Sequence, residues 1–208
     1  MLIEETLQGF LDEVASDSPA PGGGSVSALS GAMGAALGAM VCRLTIGKKG
    51  YEAVKDQMSK YMGDLDDQKK ALTLLIDMDT DAFNKLMNAF KLAKFTDDEK
   101  AVRSRAIQEA TKEAIKVPLE TCRKCLKVVE LCDPIAQKGN TNSITDVGCA
   151  ALMARAGLEG AAMNVRINLG SIKDEEFKSK VQSELVHMEK MMAEVSKKVL
   201  DTVKSKMQ

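Results

Sequence analysis

Apolar positions recur at helical spacing over most of this chain. From Tyr51 to about Leu92 the residues Leu65, Leu72, Ile76, Asp79, Phe83, Leu86 and Phe90 follow at steps of three, four and seven. That is the inward stripe of a packed helix. Ile3, Leu7, Phe10, Leu11 and Val14 share one face of a predicted short helix over Ile3–Ala15. A last helix from about Asp174 to Lys206 turns Phe177, Val181, Leu185, Met188, Met192, Val195 and Val199 inward. Between these, Thr96 with Glu99 three residues later is a capping box that opens a helix through Ile107 and Ile115. Pro118 should kink or interrupt it before about Leu131. Asp133-Pro134 and Gly139-Asn140 mark an irregular stretch, after which Ser143 to Asp146 signals a helix start, with the Asp well placed on the dipole.

Two helices carry a different pattern. After Pro19, Pro21 and the triplet Gly22, Gly23 and Gly24, the stretch from Ser25 to Ile46 is mostly Ala, Gly, Ser and Met, with Ser27, Gly31, Gly34, Ala35 and Gly38 at helical spacing. Small residues so spaced allow another backbone close. The helix ending near Asn168 repeats this with Gly148, Ala150, Ala151, Ala154, Gly157, Gly160 and Ala161, and is its natural partner. Gly47 and Gly50 bracket Lys48-Lys49 in a turn. With no strand signal, the expected fold is one all-α domain over residues 1–208, a bundle of about six helices with Gly/Ala-rich helices at its centre.

Composition narrows the classes. Lys+Arg 29 against Asp+Glu 30 leaves a net charge of −1, which argues against a general nucleic-acid or membrane-surface partner. Ser25–Ile46 is long enough to span a bilayer, but its serines, glycines and Arg43 make it too weakly apolar to insert alone. Five cysteines without a secretion signal read as reduced thiols of a cytoplasmic protein.

The candidate chemistry centres on Asp79. It is the carboxylate in an otherwise apolar stripe, whereas Asp77 and Asp81 fall on the opposite face, where water can reach them. Burial pushes such a carboxyl up unless a cation compensates, and that suits an acid–base group. The structural alternative is a pairing with a neighbouring Lys or a backbone amide. The Gly22–Gly24 loop and Ser25 can present backbone amides to an anion or a flat ligand, although the spacing matches no nucleotide-binding glycine motif. Arg43, Lys48 and Lys49 would suit a polyanionic ligand, or be a solvated turn. Asn164 and Asn168 share one helix face and could line a cleft, as could Asn140. Cys122-x-x-Cys125 lacks the second ligand pair of a zinc site, so no metal is expected. His187 reads as a surface or interface residue.

Several segments together resemble the cyclodeaminase/cyclohydrolase family of folate enzymes. They are APGGGSVSAL followed by GAMGAALGAMV, then GKKGYE, D-x-D-x-DAF from Asp77 to Phe83, VPLE from Val117, Gly139-Asn140, Thr145-Asp146 and NVRINL from Asn164. Thr145 stands where the family usually has Ser, which keeps the hydroxyl. The resemblance implies an all-helical homodimer with the cleft near the subunit interface and a tetrahydrofolate derivative as substrate, with no permanently bound cofactor. It implies Asp79 as the acid/base residue. The expected activity is hydrolysis of 5,10-methenyltetrahydrofolate to 10-formyltetrahydrofolate. Formiminotetrahydrofolate cyclodeamination and non-catalytic folate binding are the alternatives. In this reading Lys48, Lys49 and Arg43 hold the glutamate tail, the glycines contact the pterin, and Asn140, Asp146, Asn164 and Asn168 add polar contacts.

Overall fold

The computed structural model describes residues 1–207, and among them there are six α-helices and no strand. They are α1 (Leu7–Val14), α2 (Gly23–Ile46), α3 (Lys55–Phe90), α4 (Asp97–Lys138), α5 (Ile144–Leu169) and α6 (Glu175–Lys206). Helices α2 to α5 form a four-membered ring in which each packs on the next and α5 returns to α2, while α6 lies outside against α4 and α5. Neighbours in the ring are antiparallel. Gly24 meets Asp79 and Gly38 meets Leu65 across α2/α3, and Gly23 meets Asn164 while Gly34 meets Ala150 across α2/α5.

The small residues of α2 and α5 do what their spacing predicts. A Cβ on Gly34 would sit 2.7 Å from the Ala150 carbonyl oxygen, and one on Gly157 would sit 2.8 Å from that of Ser27. The Ser30 hydroxyl donates to the Met153 carbonyl at 2.7 Å across the same seam. Close approach replaces bulky side chains with dense backbone contact, each atom pair contributing little and the whole seam much. Helix α2 is long and apolar enough to cross a membrane, but 67% of its most apolar window is buried inside the fold.

The capping box at Thr96 forms, with Thr96 and Glu99 each satisfying the other's amide. Other expectations need correction. The Ile3–Ala15 segment is a 3-10 turn at Leu2–Glu4 followed by α1, and of its predicted face only Phe10 is buried, with Leu7 71% exposed. Helix α4 runs unbroken through both Pro118 and Pro134. A proline costs a helix one N–H, and the orphan carbonyl four residues back needs another donor. For Pro118 that carbonyl belongs to Ala114, and the Asn168 side-chain amide supplies the donor at 3.2 Å. Ser143 precedes α5 without a side-chain capping bond. Phe90, read as inward, is exposed as the last residue of α3, although Leu86 and Ala89 in the same turn are buried.

Candidate active site

Three helices bring polar groups together where α2 begins. Gly22 precedes α2 without a side-chain cap, so the first amides of the helix stay open to a partner. That partner is the Asp79 carboxylate, projecting from α3. The Ser25 hydroxyl lies 3.3 Å from Asp79 Oδ2 and 2.9 Å from the Ile76 carbonyl, and the Ser25 amide also acts on the carboxylate. Glycine at position 24 makes the approach possible, because a Cβ there would fall 2.1 Å from Asp79 Oδ1. Asp79 therefore caps α2 from another helix.

Electrostatics pull this carboxyl two ways. Burial raises its pKa above the ordinary aspartate value, and the Ser25 hydroxyl and amide bring it back only in part. No lysine or arginine forms an ion pair with it among the described residues. Of the two structural alternatives, the pairing with a neighbouring Lys is absent among the described residues, and the backbone-amide one is present through Ser25. Asp77, expected to be solvated, is instead half-buried: its Oδ1 accepts from the Leu2 amide at 2.6 Å, and its Oδ2 is buried without a partner. Asp81 is exposed.

Asp79 opens into a cleft of about 190 Å³, walled by Pro19 and Ala20, the glycines 22 to 24, Phe83, Leu86, Ala114, Asn164 and Asn168. The Asn164 amide donates to the Gly160 carbonyl at 3.0 Å and that of Asn168 to Ala114. Each side-chain carbonyl is thus left for a ligand with donor edges. The volume is below the ~300–1,000 Å³ of typical ligand sites, so the cleft has room for only one end of a larger molecule. Phe83 and Ala114 were absent from the predicted site. Phe83 lies one turn past Asp79, and Ala114 lies four before Pro118, so both carried a signal.

The remaining candidates lie elsewhere. Helix α2 has 24 residues and is about 36 Å long, and the second polar cluster sits at its other end. Lys48 donates to Asn140 Oδ1 at 2.6 Å and stands over the Tyr51 ring, and the Asn140 backbone N–H donates to the Thr45 hydroxyl at 2.9 Å. Asp146 lies in the first turn of α5 at that same end. Lys49 is exposed in the turn, and Arg43 pairs with Asp66 at 2.5 Å on the surface. In one chain these five predicted residues, Arg43, Lys48, Lys49, Asn140 and Asp146, cannot reach the cleft at Asp79. Cys122 and Cys125 are buried free thiols, the former pushed up to about 12 by burial, and His187 is exposed.

A helical ring with a half-buried carboxylate that has no ion-pair partner, set at a helix N-terminus beside a cleft, is an all-α arrangement suited to acid–base chemistry. Residues 6–187 match the formiminotransferase-cyclodeaminase family, and the chain belongs to it. It is 45% identical over 205 residues to the methenyltetrahydrofolate cyclohydrolase of Methylorubrum extorquens, covering 97% of each chain. It is 35% identical over 181 residues to the formimidoyltransferase-cyclodeaminase of Rattus norvegicus, covering 87% of this chain and 34% of that protein, so it spans about a third of that relative's length. In structure it is similar to the formiminotetrahydrofolate cyclodeaminase of Thermotoga maritima, with a TM-score of 0.90, 31% identity and full coverage of both chains.

Proposed function

We propose that this folate one-carbon enzyme hydrolyses 5,10-methenyltetrahydrofolate to 10-formyltetrahydrofolate, with Asp79 as its acid–base group. The observation that carries the assignment of Asp79 is a carboxylate in the cleft with no cation beside it and a raised pKa. The 45% identity over nearly all of a methenyltetrahydrofolate cyclohydrolase supports the choice of reaction. Water adds to the cationic methenyl carbon and loses a proton to the Asp79 carboxylate. The bond from that carbon to the ring nitrogen N5 then breaks. The carbinol loses its proton as the formyl C=O forms, and Asp79 returns the first proton to N5. Before addition, the carboxylate's negative charge also stabilises the cationic bridge. The substrate carbon is already electrophilic, so the chemistry calls on no cofactor.

Cyclodeamination is the second reading, supported by the structural similarity to the Thermotoga maritima cyclodeaminase. There Asp79 would protonate departing ammonia. Purified protein assayed on methenyl- and formiminotetrahydrofolate side by side separates them. Loss of methenyl absorbance without ammonia supports hydrolysis, and ammonia release from the formimino compound with no methenyl turnover overturns it.

We place the protein in the cytoplasm, on its free cysteines, and as a homodimer. Val26, Met33, Met40 and Leu44 of α2 and Leu152, Met163 and Ile167 of α5 are exposed along one side of the ring. Two helices side by side over about 36 Å offer roughly 700 Å², close to the ~800 Å² per partner of a stable interface. Light scattering of M33E/M40E against wild type tests it, a dimer that becomes a monomer being the expected result.

A further inference from the structure

The proposed reaction involves only one end of a folate, and the 190 Å³ cleft holds little more. Beyond the reacting carbon the substrate continues as an aromatic ring and an anionic γ-glutamyl tail, about 10–14 Å when extended. The cleft walls indicate a route. Along α3 run Asp79, Phe83, Leu86 and Phe90, and along α4 run Ala114, Ala110, Ile107 and Arg103, each set stepping by four, three and four. Each therefore lies on one helix face. The register is set at both ends, since Asp79 and Ala114 line the same cleft and Arg103 Nη2 donates to the Phe90 carbonyl at 3.1 Å. On either helix the two ends are about 16 Å apart. Phe83, Ala110 and Ile107, all half-buried, make the ground between them apolar.

At the far end of this strip is a second hollow, of about 410 Å³, lined by Lys94, Lys100, Arg103 and Lys173 with no carboxylate among its walls. The cations come from separate segments: the α3–α4 turn, the first turns of α4 and the α5–α6 turn. Gln108 fixes the last of these, donating to the Ser171 carbonyl and accepting from the Lys173 amide, both at 2.9 Å. Arg103 is held by the carbonyl that ends α3, and Lys100 pairs with Asp97 at 2.9 Å. The C-terminal dipole of α3 accounts for a cation or two. It does not account for Lys173, brought in from another turn. Neither the Lys94 nor the Lys173 side chain has an ion pair or hydrogen bond among the described residues.

We propose that this hollow receives the γ-glutamyl tail, its carboxylates meeting Lys94, Lys173 and Arg103 while the benzoyl ring crosses the apolar strip. The proposal rests on the folate reading above and moves the tail site away from Lys48 and Lys49. Lys94→Gln/Lys173→Gln leaves the Arg103 cap of α3 in place, and circular dichroism and a thermal melt check the fold. With the triglutamate form of methenyltetrahydrofolate, KM is expected to rise about tenfold. With the tail-free tetrahydropteroate analogue the variant and wild type should have the same KM. An unchanged KM for the triglutamate, or an equal rise with the tail-free analogue, overturns the proposal. So does a tenfold rise produced instead by Lys48→Gln/Lys49→Gln. Wild-type turnover judges the folate reading separately. Should there be none, titration of a tri-γ-glutamate peptide decides the pocket: about tenfold weaker binding to the variant supports it, and equal binding refutes it.

Discussion

The two ends of α2 are both polar and both next to glycine, yet they are built to opposite principles. At the C-terminal end Lys48, Asn140, Thr45 and Tyr51 are joined in a closed set of contacts. At the N-terminal end Asp79 has only Ser25 for company and faces a cleft. A satisfied network fixes a chain turn, whereas an under-satisfied charge keeps free energy in reserve for a ligand or a proton. Polar residues alone do not distinguish the two ends, because what separates them is whether every group has a partner.

The sharpest way to break this contrast is Asp79→Asn. It should lower kcat by about 10²–10⁴, the usual contribution of an acid–base group, and a near wild-type rate would remove Asp79 from the mechanism. The same change should raise stability. A carboxyl whose pKa rises on folding binds its proton more tightly in the native state. Its ionisation therefore costs stability as pH climbs from the unfolded value near 3.8 through the raised native one, and the cost persists at neutral pH. Relieving it should raise Tm, at about 2–4 °C for each 1 kcal/mol in a chain of this size. In the wild type, kcat/KM should fall on the acid side through an apparent pKa above 3.8, since the base must be ionised; a limb at or below that value would contradict the burial.

Much of this was visible in the sequence because helices are periodic. Asp79 announced itself as the wrong residue type in an apolar stripe, and the small residues of α2 and α5 gave their pairing through spacing alone. Other features were hidden for physical reasons. Lys48 follows the helix that the glycine triplet opens, so the distance between those two motifs was legible, but nothing local to Asn140 states which end of that 24-residue helix it will reach. Pro134 stays helical at a half-buried position, and Glu130, whose carbonyl loses its donor, is exposed. The basic hollow draws on three turns, and no local pattern joins Lys94 to Lys173.

Gly24→Ala should have the next largest effect. The added Cβ would overlap Asp79 Oδ1, and a carboxylate displaced by about 1 Å costs on the order of 10²-fold in rate. Rate and melting temperature measured together should show activity lost with the fold retained; full activity would mean that the carboxylate tolerates a second position. Lys48→Gln should do the least to turnover, with kcat/KM within about twofold. Losing the charged donor to Asn140 should lower stability by about 1.5–3 kcal/mol, read as a lower Tm. A large rate loss there would mean that the far end serves the site after all.

Position 24 also has a consequence for how sequences of this kind can drift. Every single-nucleotide missense change of a glycine codon introduces a residue larger than glycine, and here even the smallest, a methyl, collides with the Asp79 carboxylate. The protein therefore has no one-step neighbour at this site that is both different and undisturbed. What selection would preserve at Gly24 is an empty volume, and that volume is as much a part of the active site as the oxygen atoms beside it.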